Sequence, residues 1–228
     1  VTHGAEIHAS IQRKPLGRPG PHLIFVRGGS GIGKVTKPGL AVAVGEPAIN
    51  PVPRKMILET VKEILAMRCI PAAFTVTISI PNGEELAKKT LNQRLGIIGG
   101  LSILGTTGIV KPISTKAWTD TIDCSVDVAL ASGAETVILS TGRTSELAAQ
   151  EHLGLGAPGT GPGKTIQEEA FVMMGDHVGY ALTACKAKGV KHAVLAGQFA
   201  KLLKIACGHR QTHVSASELD LRMLAAWC

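Results

Sequence analysis

The second half of the chain repeats one order of parts. STKAWTDTIDCSVDVALASG carries apolar residues at helical spacing and leads into the apolar run ETVILSTG; DHVGYALTACKAKG leads in the same way into VKHAVLAGQ. In each pair one glycine ends the helical part and another closes the strand part. Two helix-to-strand units in series predict parallel strands joined by helical crossovers, which sets the class of this half as α/β. Ser114 is the expected cap of the first helix and Gly133 its stop. Between the units lies LGLGAPGTGPGKT, a glycine and proline loop, and IQEEAFVMMG after it is expected to be helical.

The first half is less regular. EIHASI and HLIFV read as short strands separated by the turn KPLGRPGP, and they run into the loop GGSGIGKVTKPGL. In INPVPRKMILETVKEILAM, Asn50 is placed as an N-cap and Pro51 at the first helical position. Met56, Ile57, Val61, Ile64 and Leu65 share one face, which predicts an amphipathic helix. AFTVTISI alternates Phe74, Val76, Ile78 and Ile80 with Thr75, Thr77 and Ser79, the period of a strand with one face in the core. PNG ends it, and EELAKKTL reads as a short helix. No linker composition separates the halves, so the expected organisation is α+β overall, with parts 1–112 and 113–228.

Of the 228 residues 45% are hydrophobic, enough for a sizeable core. The longest apolar run, LGIIGGLSILG, is too short and glycine-rich to span a bilayer, and Val1 is not followed by a basic and then hydrophobic segment. Neither a membrane partner nor a secretion signal is expected. Five scattered cysteines without a C-x-x-C pair fit reduced thiols and a cytoplasmic location. A formal charge of +7 favours an acidic partner, whereas 3% aromatic residues argue against nucleic acid held by base stacking.

Two loops approach the phosphate-binding pattern G-x-x-x-x-G-K-[ST]. Gly28, Gly33 and Lys34 fit the first, but Val35 replaces the magnesium-binding hydroxyl. Gly163, Lys164 and Thr165 fit the second, but Pro158 replaces the first glycine. GGSGIGK also fails as a dinucleotide fingerprint. Better placed are Thr141, Gly142 and Arg143, and Gly197, Gln198 and Lys201, because ligands of open α/β sheets bind beyond the carboxyl ends of the strands. The same residues read equally as glycine turns beside a solvated base.

In CGHRQTH, His209 and His213 share a face if the segment is helical, but with Cys207 they find no further pair to complete a zinc set. No protein-bound metal is expected, and the histidines are read as hydrogen-bonding a ligand or local backbone. Glu46, Asp176 and Asp220 stand in glycine-rich or turn settings, where a helix cap or salt bridge is the ordinary role. No G-x-S-x-G elbow is present. LNQRLGIIGGLSILGTTGIVKP is either a tightly packed crossing of the two halves or a surface on which Gly99, Gly100, Gly105 and Gly108 let backbone approach a large ligand.

Several segments, taken in order, carry a family resemblance: VTHGAEI, KVTKPGLAVAVGEPAINPVPRKMI, IPNGEELAKKTLNQRLGIIGGLSILGTTGIVKP, STGRTSE, MGDHVGYAL, GQFAKLLKIACG and THVSASELDLRMLA. Together they resemble the CbiD family, the cobalt-precorrin-5B C(1)-methyltransferases of anaerobic cobalamin (vitamin B12) biosynthesis, over nearly the whole chain. The resemblance implies methyl transfer from S-adenosylmethionine to carbon 1 of cobalt-precorrin-5B, giving cobalt-precorrin-6A. It also implies a first part (1–112) like the second domain of ribosomal protein S5 and a Rossmann-like second part (113–228). Family members carry an earlier segment with a Thr-Thr-Gly-Thr-Cys motif and an alanine-rich helix, whereas Val1 falls within what resembles their Asp-Val-Thr-His-Gly motif. Gln93 stands where the family has proline.

Such a substrate is a macrocycle bearing acetate and propionate groups, so Arg54, Arg94, Lys111, Arg143 and Lys201 become candidate anchors. Each taken singly also reads as a surface charge. A sulfonium already has a good leaving group, so alignment and electrostatics would carry the reaction. Glu46 and Asp176 are the candidate catalytic carboxylates, facing the sulfonium or ribose or accepting a proton. The glycine-rich stretch is expected at the junction of the two parts, with Asn92, Arg94, Gly99, Gly100, Thr106, Thr107 and Gly108 toward the corrin or donor, and His213 joins the candidate ligand contacts. Two alternatives remain open: a non-catalytic scaffold for corrin intermediates, and a kinase built on the near-miss phosphate loops.

Overall fold

The computed structural model describes residues 1–15, 23–66, 72–105, 115–153 and 166–227. The chain divides into two compact units, Val1–Lys111 and Pro112–Cys228.

In the first unit the elements run β1 (His8–Pro15), β2 (Leu23–Gly28), β3 (Lys34–Val35), α1 (Pro51–Ala66), β4 (Ala72–Ser79), α2 (Gly83–Ala87) and β5 (Ile97–Ile98). β1 and β2 do not pair with each other. Both flank β4, β1 antiparallel and β2 parallel, with Ile11 and Val26 each opposite Val76. The alternation in β4 is realised: Phe74, Val76 and Ile78 are buried with Ile80, while Thr75 and Thr77 are half-buried. Asn50 opens α1, its carbonyl accepting from Arg54 N at 3.0 Å, and Val61 and Leu65 join Val26, Ile49 and Phe74 in the core. Ile57 and Leu58 pack at the margin of this core, whereas Met56 and Ile64, expected on the buried face, are exposed. The buried row follows i, i+4, i+8 from Ile57, which leaves those two on the uncovered flank. EELAKKTL is helical only as far as Ala87 and continues as turns.

β3 pairs antiparallel with β5, and Val35, Ala48 and Ile97 form a smaller core there. The two pieces of backbone meet at Gly31, whose φ is +72°. A Cβ on Gly31 would lie 2.0 Å from the Ile80 carbonyl oxygen, and one on Gly83 or Gly100 would lie 2.3 Å from the Gly31 oxygen. Only glycine permits this backbone-on-backbone contact.

The second unit runs α3 (Thr115–Ala131), β6 (Thr136–Ser140), α4 (Arg143–Leu153), a 3-10 turn (Glu168–Ala170), β7 (Phe171–Met173), α5 (Val178–Ala187), β8 (His192–Ala196), α6 (Phe199–Ala206) and α7 (Leu221–Trp227). Its sheet is parallel in the order β7-β6-β8, with Ile138 opposite both Phe171 and Val194. The central strand is buried on both sides. Val137 and Leu139 meet Ile122, Val126 and Ala129 of α3 and Ala181 and Cys185 of α5, while Ile138 meets Ala149 of α4. Gly133 ends α3 with φ +86°; Ser114 lies outside the described residues.

Two expectations are corrected. IQEEAFVMMG is not a helix: after one 3-10 turn, Phe171 and Val172 enter the sheet, because an apolar run buried against both layers gains more as a strand than as an amphipathic helix. The residues after β6 and β8 are more than the glycine turns they also read as, since Arg143 begins α4 and Lys201 lies in the first turn of α6. Among the described residues no helix is long and apolar enough to cross a membrane. Cys124, Cys185 and Cys207 are free thiols, and burial pushes the first two above the ordinary thiol value, with nearby aspartates adding to the effect at Cys124.

Candidate functional site

In each unit there is a place beside the strand ends where expected site residues and other polar side chains converge. In the first, the end of β2, the loop into β3, residues 45–47 and the start of α1 enclose a cleft of about 650 Å³. Arg27, Lys34 and Arg54 line it from three different elements, beside Glu46, and Phe25 and Leu58 supply apolar wall. Strand alternation explains Arg27: Val26 points into the core, so its neighbour points out. Arg54 stands one turn before Leu58 on the same side of α1. Arg54 Nη2 donates to Glu46 Oε2 at 3.4 Å, and Glu46 is exposed. Arg27 and Lys34 make no ion pair or side-chain hydrogen bond among the described residues. From sequence Lys34 was read as part of a near-miss phosphate loop, and Arg27 was passed over; the alternating HLIFVRG pattern was the available signal for Arg27.

Four amides in or next to the glycine loop beside this cleft are turned to other backbone rather than to a phosphate. Gly29 N donates to Ile78 O (2.7 Å), Ile32 N to Gly29 O (3.3 Å), Gly33 N to Leu101 O (2.8 Å) and Val35 N to Glu46 O (3.0 Å). A phosphate cradle needs those N–H groups directed at the ligand. The second near-miss loop, 158–165, lies outside the described residues.

Around the glycine-rich stretch, Asn92 and the Arg94 backbone serve internal packing. Asn92 is buried and its Nδ2 donates to Gly100 O at 3.2 Å; the Arg94 carbonyl accepts from Lys37 Nζ at 3.2 Å. Gly100 is packed on Gly31, whereas Gly99 (φ +82°) is exposed with open space around its Cα. Thr106, Thr107, Gly108 and Lys111 lie outside the described residues.

In the second unit the carboxyl ends of the three parallel strands bring together most of the residues expected there. Thr141 N donates to Ala196 O at 3.0 Å, joining the ends of β6 and β8, and a Cβ on Gly197 would lie 3.0 Å from the Thr141 methyl. Thr141 Oγ1 lies 3.2 Å from Ser145 Oγ. Gly142 has open space about it, and Gln198 N-caps α6 with its backbone. Arg143 reaches one turn along α4 to the fully buried Glu146 at 2.9 Å.

Asp176 follows β7. Its Oδ1 accepts from Lys201 Nζ at 2.8 Å and from Thr212 Oγ1 at 2.6 Å, and its carbonyl accepts from Thr212 N at 3.1 Å. Burial pushes the Asp176 carboxyl up, but the hydrogen bonds from Lys201 and Thr212, with the charges of Lys201 and His213, outweigh it and hold the group below its ordinary value. Oδ2 has no partner among the described residues. Buried Lys204 donates to the carbonyls of Thr212 (3.2 Å) and Ser217 (2.8 Å), clamping the segment that carries Thr212.

CGHRQTH is not helical beyond Cys207, so the four-residue spacing of His209 and His213 places them on no common face; His213 Nδ1 lies 2.7 Å from Ser215 Oγ. Among the described residues no three His, Cys, Asp or Glu side chains are grouped to hold a metal ion. Asp220 caps α7, accepting from Arg222 N at 2.9 Å. Sequence reasoning also passed over Trp118, whose ring lies 6.3 Å from that of His177 beside Gly175, and His177 Nδ1 lies 3.0 Å from Gln211 Nε2.

Comparison with known proteins places these two sites in context. Residues 1–112 match the family model described as CbiD. A cobalt-precorrin-5B C(1)-methyltransferase of Geobacter metallireducens is 70% identical over 228 residues, covering 100% of this chain and 62% of that protein. Its namesake in Geobacter sulfurreducens is 68% identical, covering 100% of this chain and 61% of that protein. A crystal structure titled as a cobalamin biosynthesis protein (CbiD) from Archaeoglobus fulgidus aligns at 28% identity with a TM-score of 0.36, covering 91% of this chain and 58% of that one. The chain therefore spans less than two thirds of the length of the relatives it matches.

Proposed function

We propose that this chain belongs to the CbiD family and that the protein carrying it methylates cobalt-precorrin-5B at carbon 1, with S-adenosylmethionine as donor and cobalt-precorrin-6A as product. One observation carries this reading: 70% identity, without a break in coverage of this chain, to a protein of that name. In the reaction the bond between the sulfonium and its methyl group breaks as a bond forms to the ring carbon. The sulfur keeps the electron pair and leaves as a neutral thioether. The protein's part is alignment and charge, since no covalent enzyme intermediate is required.

The donor is assigned to the carboxyl edge of the second unit, which is the Rossmann-like part in this reading; the first unit is the part like the second domain of ribosomal protein S5. The residues there fit a charged nucleoside. Gly142 keeps a side chain out of the space above the strand ends, Asp176 Oδ2 is free to accept from a hydroxyl or ammonium, and Arg143 and Lys201 supply cations for a carboxylate. Asp176 is thereby the carboxylate on the donor. Glu46, in the other unit and paired with Arg54, governs the charge of the cleft instead.

The test is single-turnover transfer of labelled methyl from S-adenosylmethionine to cobalt-precorrin-5B. D176N should weaken donor binding about tenfold, the value of one charge-assisted hydrogen bond. Absence of transfer by the protein would reject the activity; unchanged donor affinity in D176N would reject the placement of the donor.

A further inference from the structure

We propose that the cleft between β2 and α1 in the first unit is a polycarboxylate-reading site, in which Arg27, Lys34 and Arg54 receive the acidic side chains of a tetrapyrrole ring and Glu46 holds Arg54 until they arrive. The ligand class rests on the function proposed above; the site rests on the cleft itself.

Three cations face one carboxylate there, and two of the cations have no partner of their own among the described residues. An unpaired cation costs little in water and gains most when a planar or multivalent anion reaches it, so a cleft that collects such cations from three elements is built for an anion. The volume, about 650 Å³, lies within the range of roughly 300–1000 Å³ that small-molecule sites occupy. It far exceeds a single phosphate, and four of the neighbouring amides, those of Gly29, Ile32, Gly33 and Val35, are already bonded to Ile78, Gly29, Leu101 and Glu46. Phe25 and Leu58 line the same space, so the occupant has an apolar body as well as a charged rim. A large ring fringed with carboxylates has both; a nucleic-acid backbone lacks the first, and an inorganic anion lacks it too.

Glu46 gives the site its selectivity. At 3.4 Å and exposed on the Glu46 side, its pair with Arg54 is weak and exchangeable. A ligand carboxylate replaces one oxygen partner with another at Arg54, while Glu46 repels any ligand unable to bring enough acid to Arg27 and Lys34.

Visible-absorption titration of the protein with cobyrinic acid, whose side chains are free carboxylates, and with cobinamide, in which they are amides, tests this directly. Cobyrinic acid should bind at least tenfold more tightly than cobinamide. R27Q with K34Q should weaken it by tenfold or more, and E46Q should tighten it by up to about fivefold. All three side chains are exposed, and circular dichroism checks that the variants keep the wild-type fold. Equal binding of the two corrinoids, wild-type affinity in the R27Q/K34Q variant, or equally tight binding of the small anion tricarballylate would overturn the site. Methyl transfer measured in parallel separates the two readings: normal transfer with an indifferent cleft rejects this inference alone, and charge-dependent binding without transfer rejects the activity alone.

Discussion

The glycine-bearing loops after β2 and after β6 are held by opposite means. After β2, the loop from Gly29 to Gly33 is backbone against backbone: Gly31 sits in a left-handed conformation with Gly83 and Gly100 pressed on its carbonyl, and the amides of Gly29 and Gly33 are bonded to Ile78 and Leu101. After β6, the side-chain position of Gly142 faces open space, and the surroundings are held by side chains: Asp176 by Lys201 and Thr212, and the Thr212 segment by Lys204. Glycine in the first loop is a packing residue and in the second a spacer. What separates a ligand loop from a structural one is where its amides go, and composition does not carry that.

The largest break of this contrast is Gly31→Ala. The new Cβ would meet the Ile80 oxygen at 2.0 Å in a backbone conformation unfavourable to any other residue, so the first unit should lose about 3 kcal/mol or more. Denaturant unfolding would show it as a lowered midpoint. A variant as stable as wild type would mean that the crossing can open and that the loop is not closed to ligands after all.

Next comes Lys204→Met, which keeps the aliphatic stem but leaves the carbonyls of Thr212 and Ser217 without their donor. A loss of about 2 kcal/mol is expected, with faster amide exchange at Thr212. Protection unchanged at Thr212 would place the hold on that segment elsewhere.

Asp176→Asn should cost less, about 1–2 kcal/mol, because the group is partly in water. Its signature is pH dependence. The folded-state value lies below the unfolded one, so across that interval the unfolded chain binds more protons. The stabilisation is complete above about pH 5 and is lost as pH falls through the folded value. Melting temperature of the wild type should therefore drop in acid more steeply than that of D176N, whose deficit fades there. Parallel curves would show that Lys201, Thr212 and His213 do not hold the carboxylate.

Much of the architecture was legible in periodicity. The strand alternation of Phe74 to Ile80 and the helix from Pro51 both formed as read, because each rests on a local pattern that burial only reinforces. The failures share a cause. Phe171 and Val172 look alike in a buried helix and a two-sided buried strand, and only pairing with β6 decides. Met56 and Ile64 satisfied the helical face, but which part of that face is covered depends on a distant sheet. The residues after β6 and β8 were placed at the strand ends by a topological rule, whereas Lys34 was read only within a near-miss phosphate loop and Arg27 was passed over, because a cleft lined by three separated segments is not spelled out in any one of them.

The finest test of the contrast is Gly142→Ala. Nothing lies within reach of the added methyl, so stability should change by no more than about 0.5 kcal/mol, against the severe loss at Gly31. If Gly142 is a spacer above the strand ends, the same methyl occupies room that the donor needs. Affinity for S-adenosylmethionine should then fall severalfold while the unfolding curve stays in place, a separation that isothermal titration and denaturation together resolve. A parallel loss of stability would make Gly142 a packing residue like Gly31, and the distinction between the two loops would fail; unchanged stability with unchanged affinity would move the donor away from this edge.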